Sequence, residues 1–174
     1  MSKTALAVLM FFCMAAFSVP MSAQLIPHGN VFAGVSYGQL TEVVNQQSYR
    51  GLEGTGEAFP FTRFAHLSLV LDASAYFRHD EFARVTEYNA MGGFRWSYTH
   101  GKFRPFAEIL GGVQRISSSG LVYSHAVEGA GGGLDYKIPF KNFSWRFQGD
   151  YIRSNYASAT QNDYRASTGL VWRF

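Results

Sequence analysis

A histidine and a serine two positions apart come nearest to a catalytic pair in this sequence. His66 and Ser68 flank Leu67, and residues i and i+2 of an extended strand lie on the same face. A hydrolase needs such a contact, because the imidazole takes the proton of the serine hydroxyl and so activates it for attack. The role of the pair therefore depends on which strand carries it and which way that strand faces.

A short acidic segment is the other candidate for ligand chemistry. His79, Asp80 and Glu81 could contact a cation at an exposed loop tip, although a solvated polar loop is the simpler interpretation. The remaining histidines do not have the spacing of metal ligands: His28, His100 and His125. The sequence therefore predicts no metal site and no cofactor.

Fourteen charged residues fall on one phase of a period-two pattern that runs through most of the chain. Seven are acidic: Glu53, Glu57, Asp72, Glu87, Glu108, Asp135 and Asp150. Seven are basic: Arg78, Arg95, Arg104, Lys137, Arg146, Arg165 and Arg173. Charges enclosed in a narrow interior must be paired, so we predict an interior ion-pair network among these residues. A gated narrow pore is the functional alternative, and it would require those pairs to rearrange.

The last eleven residues show the alternation most clearly. One face carries Tyr164, Ala166, Thr168, Leu170, Trp172 and Phe174. The other face carries Arg165, Ser167, Gly169, Val171 and Arg173. Such alternation is typical of a strand that has an apolar environment on one side and a polar environment on the other.

The same period recurs upstream and predicts eight strands in all: Asn30–Leu40, Leu52–Phe61, His66–Arg78, Val85–Thr99, Phe103–Ser117, Leu121–Ile138, Phe143–Arg153 and Tyr164–Phe174. Pro60 removes a ladder donor from the second, and a change of phase near Val127 and Glu128 predicts a bulge in the sixth. Longer connections are predicted at Thr41–Gly51, His79–Arg84, Ser117–Gly120 and Ser154–Asp163. Consecutive pairing of the strands predicts an all-β fold, an eight-stranded antiparallel up-and-down β-barrel.

The N-terminus has the composition of an export signal. Lys3 precedes an apolar run, Ala5–Phe17, and small residues follow it. We predict a cleavable signal peptide over residues 1–23 and the barrel domain over residues 24–174. Cys13, the only cysteine, would leave with the signal, so the mature chain is expected to have no thiol. A net charge of +3 without a run of Lys or Arg predicts no binding to nucleic acid.

The direction in which each face points separates a soluble barrel with an apolar interior from a membrane barrel with a polar interior. The interior of eight strands is only just wide enough for side chains to fill, and the tryptophans of the apolar face would overfill it. Aromatic residues of that face also gather at the strand ends. One end has Tyr37, Phe77, Tyr88, Tyr151 and Tyr164. The other has Trp96, Tyr98, Phe103, Tyr136, Phe143, Trp145, Trp172 and Phe174.

Two such aromatic girdles bound the apolar band of an outer-membrane barrel. Ten residues separate Tyr88 from Tyr98 and Tyr164 from Phe174. A strand of that length, tilted by about 40°, rises roughly 20–25 Å along the membrane normal, close to the thickness of the band. We therefore predict that the apolar face meets lipid, that the longer connections lie outside the cell and that the tight turns lie in the periplasm.

Several short motifs resemble those of a known family: Met91–Arg95, Arg104–Ala107, Gly131–Tyr136, Gly149–Tyr151 and Ser167–Phe174. On these motifs the chain resembles the small eight-stranded OmpA-type, opacity-protein-like outer-membrane barrels of bacteria. The resemblance implies an integral outer-membrane protein with a structural or surface-interaction role, such as adhesion or display. It also implies that Phe174 is the signal by which the outer-membrane assembly machinery recognises the C-terminal strand.

Outer-membrane lipid A deacylases have a similar fold and use a nearby histidine and serine. That family's motif has an Arg before the histidine and an Asn after the serine, where this chain has Ala65 and Leu69. The pair also follows a tight turn at the periplasmic end, whereas lipid A chemistry belongs at the outer leaflet. We therefore predict no catalytic residue, with a lipid-modifying enzyme and a narrow-pore channel as alternatives. Expected partners are outer-membrane lipid, the assembly machinery and an extracellular ligand bound by the loops.

Overall fold

The computed structural model describes residues 28–41, 46–59, 66–79, 84–118, 121–156 and 159–174. The predicted signal peptide, residues 1–23, lies outside the described residues. Eight strands follow one another along the chain: β1 (Gly29–Thr41), β2 (Gln46–Ala58), β3 (Leu67–His79), β4 (Arg84–Ser97), β5 (Phe103–Ser118), β6 (Leu121–Lys137), β7 (Phe143–Tyr156) and β8 (Ala159–Arg173).

The eight strands form one closed antiparallel barrel in which each strand pairs with its neighbours in sequence. β1 and β8 form the closing seam, where Asn30 pairs with Arg173 at one end and Leu40 pairs with Asp163 at the other. Closure leaves no unpaired edge, and unpaired edges are where open sheets add strands from other chains. The predicted up-and-down barrel, including the pairing of the last strand with the first, is confirmed.

The connections at the end of the barrel that holds Phe174, which we call the inner end, are residues 59–66, 98–102 and 138–142. Between β4 and β5 the backbones of His100 and Phe103 exchange hydrogen bonds of 2.8 and 3.0 Å around Gly101, which has a φ of 61°. Between β6 and β7, Asn142 has a φ of 70°, a left-handed conformation that Asn tolerates better than most residues. The opposite end is the outer end, and its connections are residues 42–45, 80–83, 119–120 and 157–158. These are shorter than the inner connections, so the prediction of longer connections at the outer end and tight turns at the inner end is wrong.

The strands extend further toward the outer end than the sequence pattern predicted. β2 begins at Gln46, six residues before its predicted start, while β7 continues to Tyr156 and β8 begins at Ala159. The prediction of long connections at Thr41–Gly51 and Ser154–Asp163 is therefore wrong. These segments are polar on both faces and so lack alternation, but a ladder of backbone hydrogen bonds does not require it.

The bulge predicted in the sixth strand is absent. β6 pairs residue for residue with β5, from Phe103 with Tyr136 to Ser118 with Leu121, and its pairing with β7 is equally regular. The change of phase has a different cause, because Val127 is an apolar residue on the buried inner face and Glu128 is a charged residue on the exposed outer face. The alternation of apolar and polar residues is interrupted at Val127 and Glu128, but the pairing of β6 with its neighbouring strands is not.

Alternation along the strands places polar side chains inside the barrel and large apolar side chains outside. Leu71 and Ile109 are 74% and 63% exposed on the outer surface. Arg95, Asp135 and Arg146, in contrast, are at most 1% exposed in the interior. The barrel is therefore the inverse of a soluble one, as the argument from interior volume predicted.

Candidate functional site

The interior charges form two groups, of which the one nearer the inner end is centred on Glu57 of β2. Its carboxylate lies 2.7 Å from the guanidinium of Arg104, 3.3 Å from that of Arg95 and 3.8 Å from that of Arg146. These three arginines come from β4, β5 and β7, and none of those strands pairs with β2. Their contacts with Glu57 therefore cross the lumen of the barrel.

Two acids on neighbouring strands complete this inner group. Arg95 stands opposite Glu108 in the register of β4 and β5, and its Nη2 lies 2.6 Å from Glu108 Oε2. Arg146 stands opposite Asp135 in the register of β6 and β7, and it donates to both carboxylate oxygens over 2.7 and 3.0 Å. The two-pronged contact suits the planar guanidinium and is stronger than a single hydrogen bond. Arg173 reaches Asp135 at 3.4 Å from the partly exposed rim.

Aromatic rings add a second contact to the inner arginines. The guanidinium carbon of Arg95 lies 4.2 Å from the centroid of the Phe106 ring, and that of Arg146 lies 4.7 Å from the same centroid. A cation over a ring face is attracted by the electrons of the ring. Phe106 thus contacts both guanidinium groups, and each contact is stabilising.

The second group, nearer the outer end, is centred on Arg165 of β8. Its guanidinium lies 2.8 Å from Asp72 of β3, 2.8 Å from Asp150 of β7 and 3.5 Å from Glu53 of β2. Each of these side chains is at most 2% exposed. One buried cation therefore contacts three buried carboxylates. Glu53 also accepts a short hydrogen bond from Ser167.

The two groups are joined through one amide. The Nε2 of Gln148 lies 2.9 Å from Glu108 in the inner group and 2.9 Å from Asp150 in the outer group. It also lies 3.4 Å from Glu53. The inner and outer groups of charges therefore belong to one hydrogen-bonded network.

Three residues predicted to form interior ion pairs are not seen to do so: two have other surroundings, and the side chain of the third lies outside the described residues. Glu87 is buried but accepts hydrogen bonds from the amides of Asn89 and Gln114 instead of a guanidinium. Lys137 is exposed, because it is the last residue of β6 and lies at the inner rim. The prediction of an interior ion pair is thus corrected for these two. The side chain of Arg78 lies outside the described residues.

Apolar residues also occupy the interior, and the sequence analysis did not identify them. Five pack together on adjoining strands: Val70, Met91, Leu110, Val127 and Ile152. Strand parity could have identified them, because Val70 lies between the inward-facing Ser68 and Asp72.

The interior aromatic residues fit because glycines face them. A Cβ added to Gly133 would lie 2.7 Å from the Phe106 ring, and one added to Gly51 would lie 2.7 Å from the Tyr76 ring. Both distances are shorter than a carbon–carbon contact allows. The added atoms would lie even closer to the backbone oxygens of Phe147 and Ala75, so these glycines make room both for the rings and for the neighbouring strands.

His66 and Ser68 do not form a pair. Ser68 is fully buried in the interior, where its hydroxyl lies 2.7 Å from Glu57 Oε1. The ring of His66 lies beside the outward-facing rings of Trp96 and Tyr98, and its Nδ1 is 3.1 Å from the carbonyl oxygen of Ser97. The prediction that the two share a face was wrong, because His66 precedes the first residue of β3 and strand parity does not extend to it.

The outer surface carries two sets of exposed aromatic residues. The structure places all thirteen predicted girdle residues there, with exposed fractions from 37% to 57%: Tyr37, Phe77, Tyr88, Tyr151, Tyr164, Trp96, Tyr98, Phe103, Tyr136, Phe143, Trp145, Trp172 and Phe174. Several rings pack against one another, such as Phe103 with Tyr136 at a centroid distance of 5.3 Å. Apolar surface of this extent requires an apolar environment to cover it.

Two kinds of feature were absent from the described part of the chain. In the ranges given above, no helix has the length and apolar character needed to cross a membrane. Among the side chains of those ranges, no three His, Cys, Asp or Glu residues are grouped so that they could hold a metal ion.

Comparison with known proteins gave no match to a protein-family model and none to a curated protein. Solved structures do match. Neisserial surface protein A superposes with a TM-score of 0.70 at 13% identity, covering 84% of this chain and 97% of that one. Ail, the attachment invasion locus protein of Yersinia pestis, in complex with the heparin analogue sucrose octasulfate, gives 0.61 at 13% identity, covering 84% and 98%. The N-terminal β-barrel domain of Pseudomonas aeruginosa OprF gives 0.56 at 16% identity, covering 83% and 97%.

Identities this low show the fold alone, and the three neighbours agree on it over nearly their whole length. All three are small eight-stranded outer-membrane barrels. The exposed apolar surface and the polar interior of this chain require the same environment. The chain is an eight-stranded antiparallel β-barrel of the bacterial outer membrane.

Proposed function

We propose that the protein is a non-catalytic outer-membrane scaffold that makes surface contacts through the outer end of its barrel. The observation that carries this proposal is the filled interior. Arg104 of β5 reaches across the lumen to Glu57 of β2, and Arg165 of β8 reaches across to Asp72 of β3. A barrel whose opposite walls are joined in this way is a rigid frame, and rigid frames commonly carry their binding residues at the loop end.

A narrow pore is less compatible with this interior. Ion flow along the lumen would require the contacts around Glu57 and Arg165 to open together. Breaking one buried ion pair by removing a partner costs about 3–5 kcal/mol, so opening several is a rare event without a compensating ligand. We therefore infer that the resting barrel does not conduct.

A lipid-modifying enzyme is also less compatible with the geometry. The hydroxyl of Ser68 lies against the carboxylate of Glu57, which three arginines already contact. A serine nucleophile instead needs an imidazole within hydrogen-bond reach and an open path to the substrate. Ser68 is fully buried and His66 lies against aromatic rings of the outer surface.

The partners that we propose follow from the same surfaces. Outer-membrane lipid covers the exposed apolar side chains, and the assembly machinery recognises the C-terminal strand that ends at Phe174. An extracellular ligand contacts the outer end, where β7 and β8 extend five residues beyond Tyr151 and Tyr164. Two structural neighbours carry the names of a surface protein and an attachment protein, and we extend a surface role of that kind to this chain.

Four measurements test this proposal. The purified barrel in planar lipid bilayers should give no conductance steps, and steady steps from the unaltered protein would favour the pore. Cells that express S68A should show the same lipid A acylation as cells that express the unaltered protein. A change that depends on Ser68 would instead favour the enzyme.

The third and fourth measurements locate the contact surface. An epitope tag inserted in residues 42–45 should be detected on intact cells, whereas the same tag at Gly101 should be detected only after permeabilisation. Replacing residues 42–45 and 157–158 by Gly and Ser should reduce retention of expressing cells on immobilised extracellular polysaccharides and proteins. Unchanged retention, or no retention by the unaltered protein, would contradict the surface role.

A further inference from the structure

Three lysines lie just beyond the aromatic girdle at the inner end of the barrel: Lys102, Lys137 and Lys141. Each is one or two positions along the chain from a ring of that girdle, respectively Phe103, Tyr136 and Phe143. One residue of a tilted strand rises about 2.5 Å along the membrane normal. The headgroup layer on each side of the hydrocarbon is about 5–8 Å thick. The three lysines therefore lie at the depth of the lipid headgroups.

These lysines belong to one continuous sector of the inner rim. The backbone N–H of Lys137 donates a hydrogen bond to the carbonyl oxygen of Lys102 over 2.8 Å, which joins the end of β6 to the connection before β5. Lys141 lies in the connection that follows Lys137, and its neighbour Asn142 accepts a hydrogen bond from the backbone of Arg173 over 2.9 Å. The sector thus runs from β5 to β8. We call its three lysines the lysine arc.

No acidic side chain neutralises the lysine arc. All three lysines are exposed, and none of them belongs to an ion pair among the residues that the structure describes. Asp135, two positions before Lys137, is buried and already contacts Arg146 and Arg173. The positive charge of the arc is therefore free to attract a partner of opposite sign.

The sequence of the connections separates the two ends of the barrel by charge. The inner connections contain no Asp or Glu, and their Lys and Arg residues are Arg63, Lys102 and Lys141. The outer connections contain no Lys or Arg, and their acids are Glu42, Asp80 and Glu81. An anionic surface is therefore attracted to the inner connections and repelled by the outer ones.

An exposed ring lies among the lysines. Phe140 falls between Lys137 and Lys141 in the chain and is 72% exposed. Apolar side chains among lysines are typical of segments that lie in a membrane interface, because the ring enters the acyl region while the ammonium groups reach the phosphates. A soluble polyanion would match the charge but would leave the ring in water. The combination therefore favours lipid.

We propose that the lysine arc binds the phosphate groups of anionic glycerophospholipids in the leaflet around the inner end, with Phe140 among their acyl chains. Each ammonium group is a compact cation with three hydrogen-bond donors, and it lies at the depth where the phosphates are. The site also continues the apolar surface that lipid covers. This inference rests on the orientation in the proposed function, where the outer end faces away from the cell, but it does not need the surface role.

The test uses the tryptophans of the chain, because all three lie in the girdle at the inner end: Trp96, Trp145 and Trp172. The barrel is folded in phosphatidylcholine vesicles in which a fixed fraction of the lipid is brominated phosphatidylglycerol or brominated phosphatidylcholine. Bromine on the acyl chains quenches nearby tryptophan. A lysine near the membrane surface should give roughly a fivefold preference for the anionic lipid. Fluorescence should therefore fall further with brominated phosphatidylglycerol.

The variants assign the excess quenching to one end of the barrel. The triple variant K102Q/K137Q/K141Q should be quenched equally by the two lipids. The matched control, R50Q/R115Q/R153Q, removes as many exposed charges near the outer girdle, where Arg50 stands opposite Tyr37 and Arg115 opposite Tyr88. It should keep the excess. NaCl at about 1 M should abolish the excess in the unaltered protein, because it reduces the screening length to about 3 Å.

Equal quenching of the unaltered barrel by the two lipids would overturn the proposal, and so would an excess that the triple lysine variant retains. An excess lost in the arginine control would place the anionic lipid at the other end. Cell-wall fragments that bind through the three lysines, together with equal quenching, would assign the arc to the cell wall instead.

The heat-dependent shift on gels verifies that each variant is folded. If the triple lysine variant does not fold, K141Q gives the second reading, because Lys141 lies outside the strands. K141Q should reduce the excess, and an undiminished excess would count against the arc. None of these results depends on the retention of cells by the outer end, so this inference and the surface role can fail separately.

Discussion

Replacing Arg165 by Met is the sharpest test of how the interior is stabilised. The methionine keeps an unbranched apolar side chain in place and removes only the guanidinium. It leaves Asp72, Asp150 and Glu53 without their shared partner, and all three are at most 2% exposed. The three carboxylates would then repel one another in a region that water does not reach.

The magnitude follows from the number of charges left unpaired. Removing one partner of a single buried ion pair costs about 3–5 kcal/mol, and here one substitution strips three carboxylates of a partner. A loss of at least about 3–5 kcal/mol is therefore expected, against a total stability that is typically about 5–15 kcal/mol for a folded domain. The variant should fold poorly or unfold at a much lower urea concentration.

The assay is urea unfolding in lipid vesicles, followed by tryptophan fluorescence and by the heat-dependent shift on gels. R153M is the matched control, because Arg153 pairs with Glu128 on the outer surface, where the two are 50% and 65% exposed and 3.8 Å apart. An exposed pair of that kind is worth about 0–1 kcal/mol. Adding D72N to R165M should recover part of the loss by removing one of the unpaired charges.

The reasoning would be refuted by equal losses in R165M and R153M. Equal losses would mean that burial of Arg165 does not change the cost of removing it. A double variant, R165M with D72N, that is less stable than R165M alone would refute the charge argument in particular. Loss of packing would then be the better account.

Three further predictions concern the wall of the barrel. G169A should lose about 1–3 kcal/mol of stability in the same assay, because a Cβ there would overlap the backbone of β1 at the seam. G56A should be nearly neutral, because a Cβ at Gly56 would have no atom within 4 Å, and equal effects of the two variants would contradict the steric account. L71R should lose about 2–4 kcal/mol, because Leu71 faces lipid midway between the girdles, and an unchanged midpoint would argue against that depth. F174A should lower the fraction of heat-shifted protein in cells without changing refolding in vesicles, and a normal fraction in cells would contradict a role in recognition by the assembly machinery.

The fold was predictable because period two persists wherever one face of a strand is apolar. The prediction of strand bounds failed at the outer end. The segment from Gln46 to Tyr49 is polar and resembles a loop, although it is a paired part of β2. Parity also failed at His66, which lies just outside the ladder of β3. Side chains alternate in polarity only where the two faces of a strand have different environments. Backbone pairing continues into segments where both faces are polar, and the alternation cannot identify those segments as strand.

The partners in an ion pair could be predicted only where the two residues lie on neighbouring strands. Asp135 and Arg146 stand opposite each other once the register is known, so sequence and topology suffice for that pair. The contact of Arg165 with Asp72 joins β8 to β3 across the lumen and depends on the curvature and tilt of the closed barrel. The amide partners of Glu87 were missed for a related reason, because counting acids against bases takes no account of neutral donors.

The closing seam determines how the chain reaches this structure. Asn30 and Arg173, which pair there, are 143 positions apart (173 minus 30), and contacts between such distant residues form slowly. Until they form, β1 and β8 each present a row of unpaired N–H and C=O groups, which hydrocarbon cannot solvate. An open, half-inserted sheet is therefore not a stable intermediate. Insertion and closure must happen together, and the same barrier should make the finished barrel leave the membrane slowly.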